Sequence, residues 1–521
     1  MRRSYLAVLI SVFCSSCAVT ARYQRPAMPT PAAFKGLADS DQWKTAVPGD
    51  GILKGKWWEI FGDTVLNGLE EQVAVSNYSV RQLEAEFRES LALIAVSRSG
   101  YYPTVSAGPS ITQSDRGPNA GGAPGRGTSA SFDGLFSASW VPDLWNRVGL
   151  SVQNANANTQ VTAANLENLR LSLQATLAID YFELRGDDMQ LDLLNQNIDI
   201  YQQYLKLTND RFHGGVAALS DVSLAETQLY QTEAQATDLG ITRNQFEHAI
   251  AVLIGKAPSE FSIAAVKVTG PLMQPEPGVP EQAQPSPEVD YSAIKPPPIP
   301  VGVPSTLLER RPDIAAAERN VAAANASVGI AKTAWFPTLT LSGSSGLVSG
   351  SLLNLLTWGS RYWTAGPALA QTIFDAGKRK AQLRQAQATY DALADGYRET
   401  ILSAFQQVED NLSSLRVLAQ EAQIQALAVR AADQSLALEK ARYIAGTDSY
   451  LNVITTQQIA LSDERTAVTL LQERMVAAVN LILALGGGWD SSALPTDTQL
   501  RSHDLEDPAK ALNVAQPPVR Q

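Results

Sequence analysis

Two hydrophobic periods alternate along the chain. Leu166, Leu169, Leu173, Leu177, Tyr181, Leu184, Leu191, Leu194, Ile198, Tyr201 and Leu205 recur at spacings of three, four or seven. That is sustained heptad character, which predicts a left-handed helical seam. A helix running unbroken from Asn146 to His213 would be about 100 Å long. The pattern returns between Gly377 and Tyr443, on Tyr390, Leu393, Tyr397, Ile401, Phe405, Val408, Leu412 and Leu415. Gly214-Gly215 and Gly446 supply C-caps and turns. Return helices are predicted from about Leu219 to Ile254 and from Leu451 to Leu485, ended by Gly255 and Gly486.

Ahead of each long helix the period falls to two. Phe132, Gly134, Phe136, Ala138 and Trp140 alternate with Ser131, Asp133, Leu135, Ser137 and Ser139. This predicts a strand with one apolar and one nearly polar face. Tyr102 to Ser106 supplies its predicted partner. In the second half Leu339 and Leu341 alternate with Thr338, Thr340 and Ser342, and Tyr362 to Ile373 forms the partner. Loops fall at Asp115–Thr128 and Ser349–Ser360. Before the first strand, Leu83, Phe87, Leu91, Ile94 and Val96 fit a helical stripe that Gly100 and Pro103 end.

The chain therefore repeats itself. Tyr102-Pro103-Thr104 matches Phe336-Pro337-Thr338 at an offset of 234 positions, as Val80 and Glu84 match Ile314 and Glu318. Arg211-Phe212, Gly215, Val222 and Gly255 match Arg442-Tyr443, Gly446, Val453 and Gly486 at 231. The recurrence of Pro and Gly breakpoints is not explained by heptads, so two tandem halves are read. The division is 64–258 and 303–489, separated by a Pro-rich stretch within 259–302, extended and semi-rigid by composition. Residues 490–521 are polar and predicted disordered.

The N-terminus reads as an address. Arg2 and Arg3 precede a short apolar run, Tyr5 to Phe13, and small residues Ser15-Ser16 stand before Cys17. Residues 1–16 then form a signal peptide, and 17–63 an extended segment anchored by lipid on Cys17; a plain signal peptide is the alternative. Cys14 and Cys17 are the only cysteines in 521 residues, which excludes a disulfide scaffold. No other run reaches the 18 or so apolar residues of a spanning helix. Lys and Arg number 41 against 52 Asp and Glu, a formal net charge of −11, which argues against nucleic acid as a partner. The three histidines lie far apart, and no metal or cofactor site is read.

Four strands with one apolar face, in an exported chain, suit a membrane barrel. Four cannot close, and an open edge in lipid costs several kcal/mol per unpaired group. Other copies of the chain must complete the wall. Three would make twelve strands, with the long helices forming a tube beneath. The aromatics Phe132, Phe136, Trp140, Tyr362 and Trp363 are candidates for lipid contact.

Specific motifs cover most of the chain. They include Tyr23-Gln24-Arg25-Pro26, Trp57-Trp58, Phe61-Gly62-Asp63, Asp143-Leu144-Trp145 with Arg147, and Leu307-Leu308-Glu309-Arg310-Arg311-Pro312-Asp313-Ile314 with Glu318. Phe374-Asp375-Ala376-Gly377 and Ala484-Leu485-Gly486-Gly487-Gly488-Trp489 follow. This set resembles the TolC-like outer-membrane efflux family in its lipoprotein branch. The resemblance implies an α+β fold dominated by long helices. It implies a homotrimer with a twelve-stranded outer-membrane barrel and a periplasmic α-helical barrel. It further implies a periplasmic adaptor, an inner-membrane resistance-nodulation-division pump, outer-membrane lipids around the barrel, and drugs or toxic small molecules as cargo. Export of protein with an ABC-type pump is the runner-up. A structural coiled-coil lipoprotein is the reading from another class.

No catalytic motif is found, so the chain reads as a duct and not an enzyme. A duct needs a gate where helices converge. One hairpin tip carries Asp448 and Asn452, the other Asp221. Three copies of a tip aspartate would ring one axis and favour cations; an ordinary turn or N-cap role is the alternative. By the resemblance, aspartates sit near these tips; the position equivalent to one of them is Asn452 in the second half and Asp221 in the first, and Asp448 matches a tip aspartate of the lipoprotein branch. Arg310, Arg311, Pro312 and Asp313 read as structural: proline suits a first helical turn and aspartate its positive end.

Overall fold

The computed structural model describes residues 19–20, 22–31, 33–35, 55–116, 127–265, 295–299 and 307–501. Cys17 lies outside them. After a 3-10 turn at Trp57–Phe61 come helices α1 (Thr64–Ser76) and α2 (Tyr78–Ser99). The predicted stripe from Leu83 to Val96 lies wholly within α2, and α1 is a further helix ahead of it. Asn77 stands between them in extended backbone and caps α2, its Oδ1 accepting from the Ser79 and Val80 N–H groups. Strands β1 (Thr104–Arg116) and β2 (Gly127–Trp140) follow, then α3 (Arg147–His213) and α4 (Leu219–Leu253). The second half repeats the order with α5 (Pro312–Thr333), β3 (Thr338–Ser349), β4 (Arg361–Ala370), α6 (Lys378–Ile444) and α7 (Tyr450–Ala484). The first strand pair runs further than its side-chain pattern shows, because β pairing continues into the Ser- and Gly-rich flanks. The fourth strand stops at Ala370 and not Ile373.

The sheet is an antiparallel meander in the order β1-β2-β3-β4. Its register sorts the side chains. Ile111, Phe132 and Ser349 lie in one row, and Ala107, Phe136, Ser345 and Trp363 in another, all on the apolar face. Phe136 and Trp363 are 63% and 77% exposed there, with no soluble layer covering them. The opposite face is hydroxylic. Ser106 and Ser137 lie 2.7 Å apart, and Ser344 and Thr364 2.6 Å. Tyr362, paired with Gly346, falls on this hydroxylic face, so it and Trp363 cannot both face lipid. β1 and β4 each keep an open edge within one chain. A coiled-coil protein without sheet is thereby set aside.

α3 and α6 are each 67 residues long and pair with their return helices α4 and α7, while α3 also packs on α7. The main core lies at the waist, where Trp57, Trp58, Leu66, Val73, Tyr181, Ile250, Ile314, Tyr397, Val408 and Ile482 meet. Both ends of the Pro-rich stretch join it through Ile263 and Ile299. Residues 490–501 pack against the body, while 502–521 of the predicted tail lie outside the described residues. Leu500 is buried, Arg98 Nη2 donates to its carbonyl at 2.5 Å, and Gln160 donates to Pro495 O at 2.9 Å. Among the described residues, α7 is long and apolar enough to cross a membrane, which run length alone did not single out. Its apolar window is 61% buried, as expected of a core helix.

Candidate functional site

The two hairpin tips are built alike. At the end of α3, Gly215 takes φ 74°, and the Val216 N–H reaches the Arg211 carbonyl at 2.9 Å. At the end of α6, Gly446 takes φ 73°, and the Thr447 N–H reaches the Arg442 carbonyl at 3.0 Å. Both are Schellman closures, which need the left-handed residue that glycine supplies.

Asp448 sits just past the second closure. Its Oδ1 accepts from the Ser449 N–H at 2.7 Å and from Asn452 Nδ2 at 2.6 Å, and Arg442 lies 3.8 Å from Oδ2. The Ser449 N–H, then Asn452, hold its carboxyl below the usual aspartate range. Two of the predicted gate residues, Asp448 and Asn452, are therefore directly joined. Asp221 is on the other tip and accepts from the Ala218 N–H at 3.3 Å, capping its own helix. Among the described residues no hydrogen bond or ion pair links Asp221 to Asp448 within a chain.

What does link the tips is an aromatic cluster. Tyr450 lies 5.4 Å from Tyr443 and 6.0 Å from Tyr204, ring to ring. The Arg211 guanidinium sits over the Tyr443 ring at 4.3 Å. Ala225, Val453 and Ile454 close the underside. Sequence periodicity does not single out these tyrosines. The repeat of Arg211-Phe212 as Arg442-Tyr443 is the signal that marks the place.

Arg310 to Asp313 lie at the waist, far along the chain from either tip. Pro312 opens α5, and Arg311 is its N-cap. The buried Arg311 guanidinium grips Asp313 through Nε at 3.0 Å and Nη2 at 2.6 Å. Its Nη1 donates to Gln407 Oε1 on α6 at 2.9 Å and to the Ala484 carbonyl ending α7 at 3.0 Å. The first half has the same joint in smaller form. Asn77, 234 positions earlier, caps α2 and donates from Nδ2 to the Leu253 carbonyl at 2.8 Å. Leu253 precedes Ala484 by 231 positions. Each return helix then ends in a left-handed glycine, Gly255 or Gly486, whose added Cβ would strike the Ser76 or Arg310 carbonyl oxygen. The two offsets found in the sequence thus meet in one repeated contact.

Beside this joint α3 carries buried acids. Asp188 is held by Arg185 at 3.0 Å and Arg243 at 2.8 Å, and Arg243 also reaches the Ile263 carbonyl at 2.7 Å, fixing the start of the Pro-rich stretch. Asp180 is partly buried, and among the described residues no such cation holds it. Burial, with Glu183 adding, pushes its carboxyl up to about 6. Folding therefore favours its protonated form, and that favourable contribution is lost as pH rises from the ordinary aspartate range through about 6. Asp180→Asn is expected to lengthen the half-life of the assembled protein in detergent, with the gain widening from pH 4 to pH 7.5. An equal gain at both pH values would show that burial of the charge is not the cause.

At the foot of the sheet the chain turns from strand to helix. Asp143 accepts from the Gly149 N–H at 2.9 Å, and Asp375 from Gly377 N–H at 3.0 Å and Arg379 Nε at 2.6 Å. Trp145 stacks on Phe336, centroids 4.9 Å apart, and donates to the Pro337 carbonyl at 2.6 Å. Asn146 Nδ2 donates to the Val19 carbonyl at 3.1 Å, bringing the N-terminal segment to this level. Among the described residues no group of acids, histidines or cysteines has metal-binding geometry.

The model of a family described as outer membrane efflux protein matches residues 69–256 and 303–487. The outer membrane protein OprJ of Pseudomonas aeruginosa is 28% identical over 485 residues, 93% of this chain and 95% of that one. The toluene efflux pump outer membrane protein TtgF of Pseudomonas putida is 28% identical over 507 residues, 96% and 100% of the two chains. Among solved structures, the outer-membrane channel OprN superposes with a TM-score of 0.78 at 26% identity, covering 91% of this chain and 100% of that one.

Proposed function

The chain belongs to the outer membrane efflux protein family, and from that premise we propose that it is a passive duct opened at its helix tips by partner proteins. It is the outer-membrane channel of an efflux system, built as a trimer whose twelve strands close one barrel over a helical tunnel. A periplasmic adaptor and an inner-membrane resistance-nodulation-division pump deliver the cargo, small toxic molecules such as drugs or solvents. Toluene, in the name of one relative, belongs to that class. We assign the chain no catalytic step.

The observation that carries the gate reading is the tip geometry. The Ser449 N–H and Asn452 hold the Asp448 carboxyl in its ionised form at the hairpin tip, where the duct reading has three copies converge. The aromatic cluster of Tyr204, Tyr443 and Tyr450 binds the two tips of one chain into a unit. Opening then means moving whole tips apart, with Asp448 and Asp221 facing the axis as cation-favouring groups. Lipid on Cys17 fits the same frame, because Val19 is tied to Asn146 at the foot of the sheet, where an acyl chain has to enter the membrane.

Single-channel recording in planar bilayers tests the gate. Asp448→Ala is expected to lower cation preference and raise the closed-state conductance. Unchanged conductance and selectivity would remove Asp448 from the gate. The family assignment is untouched by that result.

A further inference from the structure

The turn between β3 and β4 leaves large apolar side chains uncovered. Leu352, Leu353, Leu356 and Trp358 are 62%, 92%, 86% and 78% exposed. Several of its polar groups are bonded within the turn. Thr357 Oγ1 and Ser360 Oγ each donate to the Asn354 carbonyl at 2.7 Å. The N–H groups of Leu355, Thr357 and Ser360 are bonded within the turn, to Leu352, Asn354 and Thr357 carbonyls. A segment that leaves water must satisfy its backbone in this way.

Height and direction are also set. Ser349, the last residue of β3, pairs with Phe132, while β2 extends five residues further to Gly127. The first hairpin therefore rises about 16 Å above the second along the strand, and the turn sits beside the upper end of the sheet's apolar face. Arg361 lies on that face, in one row with Leu347, Gly134 and Pro109. Its guanidinium covers the Trp358 ring, and its Nε donates to the Trp358 carbonyl at 3.0 Å. Trp358 is thus tied to the outward side and not to the hydroxylic lumen.

We propose that this turn docks in the outer leaflet of the outer membrane, with Leu353 and Leu356 in the acyl layer and Trp358 with Arg361 at its boundary with lipid phosphate. The docking surface continues the barrel's lipid face and rests on the barrel reading. A tryptophan and an arginine at the boundary of apolar and charged layers match the chemistry of that interface.

The test uses the full-length protein in vesicles of phosphatidylethanolamine and phosphatidylglycerol. Nitroxides are placed by Leu353→Cys and Leu356→Cys, with labelling of the parent protein as the blank. Phe136→Cys on the apolar face and Ser137→Cys in the lumen calibrate the scale. The expected ratio of oxygen to nickel-chelate collisions at 353 and 356 is within twofold of that at 136 and several-fold above that at 137. Ratios like that at 137 would mean that the turn stands in water or folds over the pore mouth, and the proposal fails. A lumen-like ratio at 136 as well would bring down the barrel reading with it.

Discussion

Alanine at Gly486 is expected to deplete the assembled trimer more than any exposed substitution on the long helices. Gly486 closes α7 with φ 90°, and the Gly487 N–H completes the closure on the Ile482 carbonyl at 3.0 Å. A Cβ in left-handed backbone costs roughly 1–2 kcal/mol. That Cβ would also lie inside van der Waals contact of the Arg310 carbonyl oxygen, a backbone atom that no rotamer change can move aside. Displacing packed structure adds roughly 1–3 kcal/mol. The strain falls where α5, α6 and α7 meet, so it bears on assembly and not on one helix end. The measurement is the yield and heat-dissociation rate of detergent-extracted trimer. Gly446→Ala is the control, since a Cβ at that left-handed glycine meets nothing within 4 Å. Equal losses at the two sites would show that the positive φ acts alone and that contact with Arg310 is unimportant.

Arg311→Ala is expected to have the second large effect. The side chain is buried and serves Asp313, Gln407 and the Ala484 carbonyl together. Truncation strands the buried Ala484 carbonyl and takes the guanidinium from the partly exposed Asp313 and the exposed Gln407, and leaving one buried acceptor unsatisfied costs about 1–3 kcal/mol. The first half of the chain suggests a rescue. Asn77 fills the equivalent place and reaches the equivalent carbonyl, that of Leu253. Arg311→Asn should therefore retain the bond to Ala484 and recover part of the lost trimer, whereas Arg311→Ala should not. Susceptibility to exported toxic compounds, read beside trimer yield, ties the loss to function. If the Asn and Ala variants behave alike, the helix-end carbonyl contributes little and the bonds to Asp313 and Gln407 dominate.

These joints show how far the sequence could be read. Heptads from Leu166 to Leu205 place α3, and the period-two run from Phe132 to Trp140 places β2, because each face repeats at the spacing of its own secondary structure. The motif from Arg310 to Asp313 is visible for the same reason: proline at N1 and an acid in the first turn are local preferences. Its purpose is not local. The partners of Arg311 lie 96 and 173 positions away, and no spacing rule reaches them. Phe374 and Ile373, apolar in sequence, stand exposed beyond β4, because a strand ends where its partner's ladder ends.

The chain by itself determined its elements, its internal repeat and the open sheet edge that one copy cannot pair. All of these follow from the period of side chains along a backbone and from the residues that interrupt it. Tertiary structure alone decided that Tyr362 joins the serine face, that three tyrosines bind the tips, and that Arg311 and Asn77 close the same joint twice. Those are contacts between segments separated by scores or hundreds of residues. Their partners are chosen by register, crossing and burial, which a linear pattern does not encode.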